Sequence, residues 1–215
     1  MPTILLQRWE QRLIRKEASQ DGCGPYGDPV TTTTSDPEDL VVLLDDDGSA
    51  IGTAHRSSVH STDTPLHLAF SCHLLDDAGR VLVTRRALSK RTWPGVWTNS
   101  FCGHPRPGEH TEDAVRRHAR HELGLDVTAI VPVLPDFRYR AVDAAGIVEN
   151  EVCPVFAARL ATPDDAPVPN PEEVAELAWV PVVDLLLVVE RAPWAVSPWL
   201  VGQVEALRLF ATNTP

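Results

Sequence analysis

Leu66, Leu68, Phe70, Cys72 and Leu74 fall on every second position, so an extended segment from Leu66 to Leu75 carries one apolar face. Such a face must be covered by another layer. Asp76-Asp77-Ala78-Gly79 turns the chain back into Val81–Thr84, which predicts a hairpin. A helix is predicted over Thr111–Leu123. Thr111 can cap it, Glu112 and Asp113 sit where the helix dipole favours acids, and Gly124 fits the position after the end. Further strands are expected at 41–44, before the turn Asp45–Gly48, and at 127–133, 137–142, 147–160 and 177–180. Two more helices are expected, over 182–189 and from Ser197-Pro198 through Phe210. Mixed strands with helices on their faces make the chain α+β, an α/β sandwich.

With 215 residues the chain can bury one sizeable core, and a net charge of −11 argues against general nucleic-acid or anionic-membrane binding. Residues 1–38 read as a flexible N-terminal extension: an amphipathic segment Met1–Ala18, then an Asp/Gly/Pro/Thr-rich linker from Asp21 to Glu38. Residues 39–213 read as a single catalytic domain. No apolar run is long enough to span a bilayer, and charges interrupt the first twenty residues, so a cytoplasmic location is expected. Cys23, Cys72, Cys102 and Cys153 form no C-x-x-C pair and read as free thiols.

Glu149 and Glu151 are two apart on an expected strand flanked by Ile147, Val148, Val152 and Val155, so both point to one face. If that face is buried, one acid holds a proton or a cation sits between them; an exposed edge with ordinary surface acids is the other reading. Glu122 lies in the last turn of its helix, where the dipole disfavours an acid and a divalent cation would offset the cost. His60, His67 and His104 could complete a mixed N/O metal site, although a single histidine is more often structural. Cys102 lies in a Gly-containing turn beside His104, where nearby cations would favour its thiolate; Cys72 and Cys153 read as inert buried thiols. Arg85-Arg86-Ala87-Leu88-Ser89-Lys90-Arg91 concentrates cations that could clamp phosphate oxygens or simply face solvent.

The span Leu66–Pro154 resembles type 1 isopentenyl-diphosphate delta-isomerase, of the Nudix superfamily. The resemblance is carried by Leu66-His67-Leu68-Ala69-Phe70, Thr84-Arg85-Arg86-Ala87, Trp93-Pro94-Gly95-Val96-Trp97-Thr98-Asn99, Cys102-Gly103-His104-Pro105, Phe137-Arg138-Tyr139-Arg140 and Glu149-Asn150-Glu151-Val152-Cys153-Pro154. Of the Nudix box G-x5-E-x7-R-E-U-x-E-E-x-G-U, the chain keeps Gly103, Glu109, Arg117, Glu122, Gly124 and Leu125. His118 and His121 replace two glutamates and Ala119 takes an aliphatic slot. That argues against diphosphate hydrolysis.

The resemblance implies a Nudix-like fold, a mixed β-sheet flanked by helices, and interconversion of isopentenyl and dimethylallyl diphosphates in isoprenoid biosynthesis. It implies His60, His67, His104, Glu149 and Glu151 as ligands of one Mn²⁺ or Zn²⁺, and Glu122 with the carbonyl of Cys102 as the site of a Mg²⁺ arriving with the substrate. Cys102 and Glu151 match the catalytic pair and Tyr139 the tyrosine assisting Glu151. Trp199 matches the tryptophan facing the hydrocarbon, with Trp194 the other candidate. Arg56, Arg86 and Lys90 match diphosphate contacts, and His118 stands where relatives carry an arginine. No flavin is implied. The expected partner is a small allylic or homoallylic diphosphate, with no nucleic acid and no membrane, and the expected state is a monomer. A Nudix-type diphosphohydrolase and a non-catalytic metal-binding module are the competing readings.

Overall fold

The computed structural model describes residues 40–212, with side chains to residue 207. The expected helix Met1–Ala18, the linker Asp21–Glu38 and Cys23 lie outside the described residues. Two sheets form the frame. The first contains β1 (Leu40–Leu44), β2 (Ala50–His55), β3 (His67–Leu68), β9 (Arg138–Val142) and β10 (Val148–Val152), in the order β2-β1-β3-β10-β9. The second contains β4 (Phe70–Leu75), β5 (Arg80–Arg86), β8 (Val127–Leu134), β11 (Val155–Leu160) and β12 (Val174–Pro181), in the order β12-β5-β4-β11-β8. Short β6 (Trp97–Thr98) and β7 (Phe101–Gly103) pair with β5 and β4. Both sheets are mixed: β3 runs parallel to β10 and β4 parallel to β11, and the other pairings are antiparallel.

The helices are α1 (Arg56–Val59), α2 (Thr111–Leu123), α3 (Val182–Arg191) and α4 (Pro198–Thr212). On one face of the second sheet, Phe70, Cys72, Leu74, Leu82 and Phe101 pack on Ala114, Val115, Ala119 and Leu123 of α2. On the other, Val81 and Val83 pack on Leu185 and Val189 of α3 and on Leu200 and Val204 of α4. The α+β sandwich expected from the strand and helix pattern is therefore present. The alternation in β4 selects the α2 face, yet every residue of that strand is buried, because α4 covers its other side.

Three local expectations need correction. Residues 147–160 are two strands, and 66–75 is likewise broken at Ala69. Pro154 has no N–H to continue a ladder, and Ala69 N instead donates to Val152 O at 2.9 Å. The N-cap of α2 is His110, without a side-chain cap bond, so Thr111 is the first helical residue. Ser197 does cap α4, its Oγ accepting from Leu200 N at 3.3 Å. Gly124 closes α2 at φ 66°, the left-handed conformation that glycine adopts without strain.

Candidate metal and catalytic site

The two chain breaks decide where the site forms. β3 and β10 end side by side in the first sheet, and β4 and β11 begin side by side in the second. A cavity of about 250 Å³ is lined from both sheets, by Glu149, Glu151 and Tyr139 of the first and by Cys102, Thr84 and Arg86 of the second. His60 follows α1, His67 opens β3 and His104 follows β7. Glu149 and Glu151 share one buried face of β10, while Asn150 points away and donates to Thr64 O at 3.2 Å.

One ligand atom from each of His60, His67, His104 and Glu151 lies within 4.8 Å of the others. Glu151 Oε1 is 3.3, 3.5 and 3.9 Å from Nε2 of His104, His67 and His60. Glu149 Oε2 is 2.9 Å from His60 Nε2. Nδ1 of His67 lies 2.9 Å from Pro65 O. A carbonyl only accepts, so Nδ1 carries a hydrogen and Nε2 is the atom turned to the cluster. Nε2 of His67 is buried without a hydrogen-bond partner, a cost of about 1–3 kcal/mol, and Nε2 of His60, close as it is to Glu149, makes no well-aligned hydrogen bond. Orphaned imidazole nitrogens facing buried carboxylates are the donor set of a divalent metal, so these residues fit one.

The charges agree. Burial works against a proton on His60, but Glu149 and Glu151 outweigh it and push the ring up to about 9. At His104 burial wins and pushes the ring down to about 4 despite Glu151. Burial would raise the Glu151 carboxyl, but His104, His60 and His67 hold it well below the usual carboxylate range. The carboxylates draw positive charge to this point, which is the condition a divalent cation meets.

Around the cavity, Tyr139 lies opposite Glu151 in the β9–β10 register, and its OH donates to Glu151 Oε2 at 2.9 Å. Trp199, buried at the start of α4, meets Tyr139 at 5.6 Å and Trp93 at 5.4 Å between ring centroids, and Arg86 Cζ sits 5.6 Å from its ring. Arg86 also donates to Thr92 O, and Lys90 pairs with Glu173. Glu122 is buried, with Oε1 2.9 Å from His118 Nδ1. A Cβ on Gly103 would come within 2.3 Å of the His118 ring, so only glycine lets β7 pass this close to α2. Arg117 grips both oxygens of Glu109 and donates to His104 O at 3.1 Å, bracing the loop that carries His104.

A NUDIX domain profile matches residues 65–200. The isopentenyl-diphosphate Delta-isomerase of Clavibacter michiganensis is 61% identical over 169 residues, 79% of this chain and 86% of the relative. Those of Agromyces mediolanus (62%; 79% and 81%) and Kocuria rhizophila (61%; 80% and 93%) match similarly. The chain belongs to the isopentenyl-diphosphate Delta-isomerase family, within the Nudix superfamily. Among solved structures, a Deinococcus radiodurans protein shares the fold at TM-score 0.60 and 20% identity, covering 78% of this chain and 98% of that one. A MutT protein of Methanosarcina mazei does so at 0.51 and 16%, covering 72% and 100%.

The family's candidate residues converge: all except His67 line the cavity, and His67 is fully buried beside it. Trp194, the alternative to Trp199, is 85% exposed and away from the cavity. Cys102 is not in a turn but in β7, opposite Ser71. Burial outweighs the pull of Arg86 and Lys90 and, joined by Glu122 and Glu151, pushes the thiol up to about 12. Sequence reasoning missed Asn99, Glu173 and the bracing role of the Glu109–Arg117 pair. Trp97-Thr98-Asn99 was conspicuous only as part of a motif, and nothing local marks Glu173.

Proposed function

We propose that this protein interconverts isopentenyl diphosphate and dimethylallyl diphosphate, adding a proton to the terminal methylene and removing one from C2. The observation that carries the reading is the juxtaposition of Glu151 and Cys102, two proton carriers from different sheets, on one cavity with an aromatic wall. Oε1 of Glu151 faces the histidines and Oε2 faces Tyr139, so Oε2 is the oxygen that holds the transferable proton. Burial first, and the charge of Glu151 next, push the Tyr139 hydroxyl well above its usual range; it stays protonated and orients Oε2.

A thiol beside a carboxylate is the state of the pair after a forward turnover, when Glu151 has given a proton and Cys102 has taken one. The reverse reaction starts from it. Trp199 offers a π face to the developing tertiary cation, worth about 0.5–2 kcal/mol, and with Tyr139 and Phe101 shields it from water that would trap it as an alcohol. Arg56, Arg86 and Lys90 hold the diphosphate, which fixes the hydrocarbon between the two proton carriers. His60, His67, His104, Glu149 and Glu151 would hold Mn²⁺ or Zn²⁺, and Glu122 with the Cys102 carbonyl Mg²⁺. When bound, these ions supply positive charge, making a proton on Glu151 more acidic and neutralising the diphosphate.

The test is proton NMR of the protein with isopentenyl diphosphate and Mg²⁺ in D₂O. Dimethylallyl diphosphate carrying deuterium is the expected product. No conversion by folded, metal-loaded protein would sink the reading.

A further inference from the structure

Asn99 joins β6 to β7 and is fully buried. Its Nδ2 donates to Phe101 O at 2.7 Å and to Cys72 O at 3.2 Å. Both partners only accept, so the amide cannot be flipped and its oxygen must face the other way. There Oδ1 accepts from Trp199 Nε1 at 3.0 Å, from Thr98 Oγ1 at 2.9 Å and from Cys102 Sγ at 3.7 Å. One carbonyl oxygen thus meets both the indole and the thiol.

The same strand end holds the start of α4. Ser197 N donates to Trp97 O at 2.8 Å, Thr98 Oγ1 lies 2.8 Å from Ser197 Oγ, and Trp97 bridges to Val196. Trp199 and Cys102 come from elements 97 residues apart in sequence, yet both are referred to the dipeptide Thr98-Asn99.

We propose that Asn99 is a positioning residue, whose single carbonyl oxygen sets the Cys102 thiol and the Trp199 indole in register on the cavity wall. It does not line the cavity, and it acts through the two side chains that do, Cys102 and Trp199. It fixes where the proton carrier stands relative to the π face, a relation that proton removal from C2 beside a developing cation needs to be tight. The inference rests on the isomerase reading for its catalytic consequence, but the geometry can be tested without turnover.

Two variants and one measurement on the unaltered chain test it. Asn99→Leu keeps the size and removes every polar atom, whereas Asn99→Asp keeps an acceptor oxygen. With folded fraction matched by circular dichroism, Asn99→Leu is expected to lower kcat about 10²-fold, the scale of an ångström-level misplacement. KM for isopentenyl diphosphate should hold, because Arg56, Arg86 and Lys90 are untouched. The rate of Cys102 alkylation by iodoacetamide should change in the same variant, and Asn99→Asp should recover part of kcat. A folded Asn99→Leu with wild-type kcat and alkylation rate overturns the proposal, as does a kcat loss matched by an equal rise in KM.

Should Asn99→Leu not fold, ¹⁵N-indole NMR of the wild-type chain decides, with Trp199 assigned by Trp199→Phe. An indole N–H protected from solvent exchange and shifted as a hydrogen-bonded group supports the latch, and a freely exchanging one overturns it. Absence of isomerase activity in a chain that retains this signal would fault the functional reading and leave the latch standing.

Discussion

Glu151 turns one oxygen to three imidazoles and the other to Tyr139, so its two sides do separate jobs. On the proposed mechanism, Glu151→Gln keeps the shape but cannot hold and release the proton, and Cys102→Ala removes the other proposed carrier. Each is expected to lower turnover at least 10²–10⁴-fold, about what a positioned acid or base contributes, with the circular dichroism unchanged. Deuterium incorporation in D₂O measures it, and normal turnover in either variant would remove that residue from the reaction. Glu122 is buried against His118 at the end of α2; Glu122→Gln is expected to raise the Mg²⁺ concentration needed for half-maximal rate, and an unchanged titration counts against a metal role. The spacing of Glu149 and Glu151 made this face legible in the sequence, because a two-residue repeat on a strand has only one outcome. The burial of Cys102 was not legible: the sequence shows nearby cations, but burial is a property of the folded neighbourhood, and here its upward push on the thiol outweighs theirs.

At the scale of elements, β4 and α4 are joined by a buried polar chain. His73 Nε2 is 3.0 Å from Gln203 Oε1, and Gln203 Nε2 donates to Ser71 Oγ at 2.9 Å. Burial pushes the His73 ring down to about 4, only partly offset by Gln203. Its folded-state value lies below the ordinary 6.5, so the unfolded chain takes up the proton first. Stability from the neutral ring is therefore complete above about pH 6.5 and is lost as pH falls toward 4, by about 3 kcal/mol over the whole window. Melting temperatures of wild type and His73→Gln at pH 7 and pH 5 check this; the wild type is expected to lose more, and parallel losses would refute it. Helix α2 and the β4–β5 hairpin could be read from local patterns, since a cap glycine and a two-residue alternation act within a few positions. The division at Ala69 could not, because it depends on which distant strand accepts the next hydrogen bond; Pro154, which lacks an N–H, did carry a local signal that reading 147–160 as one strand passed over.

For the molecule as a whole, the ligands of the candidate metal come from the end of α1, from β3, from the loop after β7 and from β10, so binding an ion would tie these elements together. Treatment with a chelator is expected to abolish turnover and lower the melting temperature, and Mn²⁺ or Zn²⁺ should restore both. An unchanged melting curve would mean that no ion holds the cluster. Removing residues 1–38 is expected to leave activity near wild type, and a large loss in the D₂O assay would show that the extension serves the site. No described helix is long and apolar enough to cross a membrane. The sequence by itself determined the α+β class, the helix over Thr111–Leu123, the paired acids and, through its separated motifs, the family. Those features rest on periodicity and residue chemistry, which are local. Only the tertiary structure decided that the parallel strand pairs part at one level, that Trp199 rather than Trp194 faces the cavity, and that Asn99 meets both the thiol and the indole. Each of these depends on contacts between residues far apart in the chain, whose distances are set by packing and not by any neighbour in the sequence.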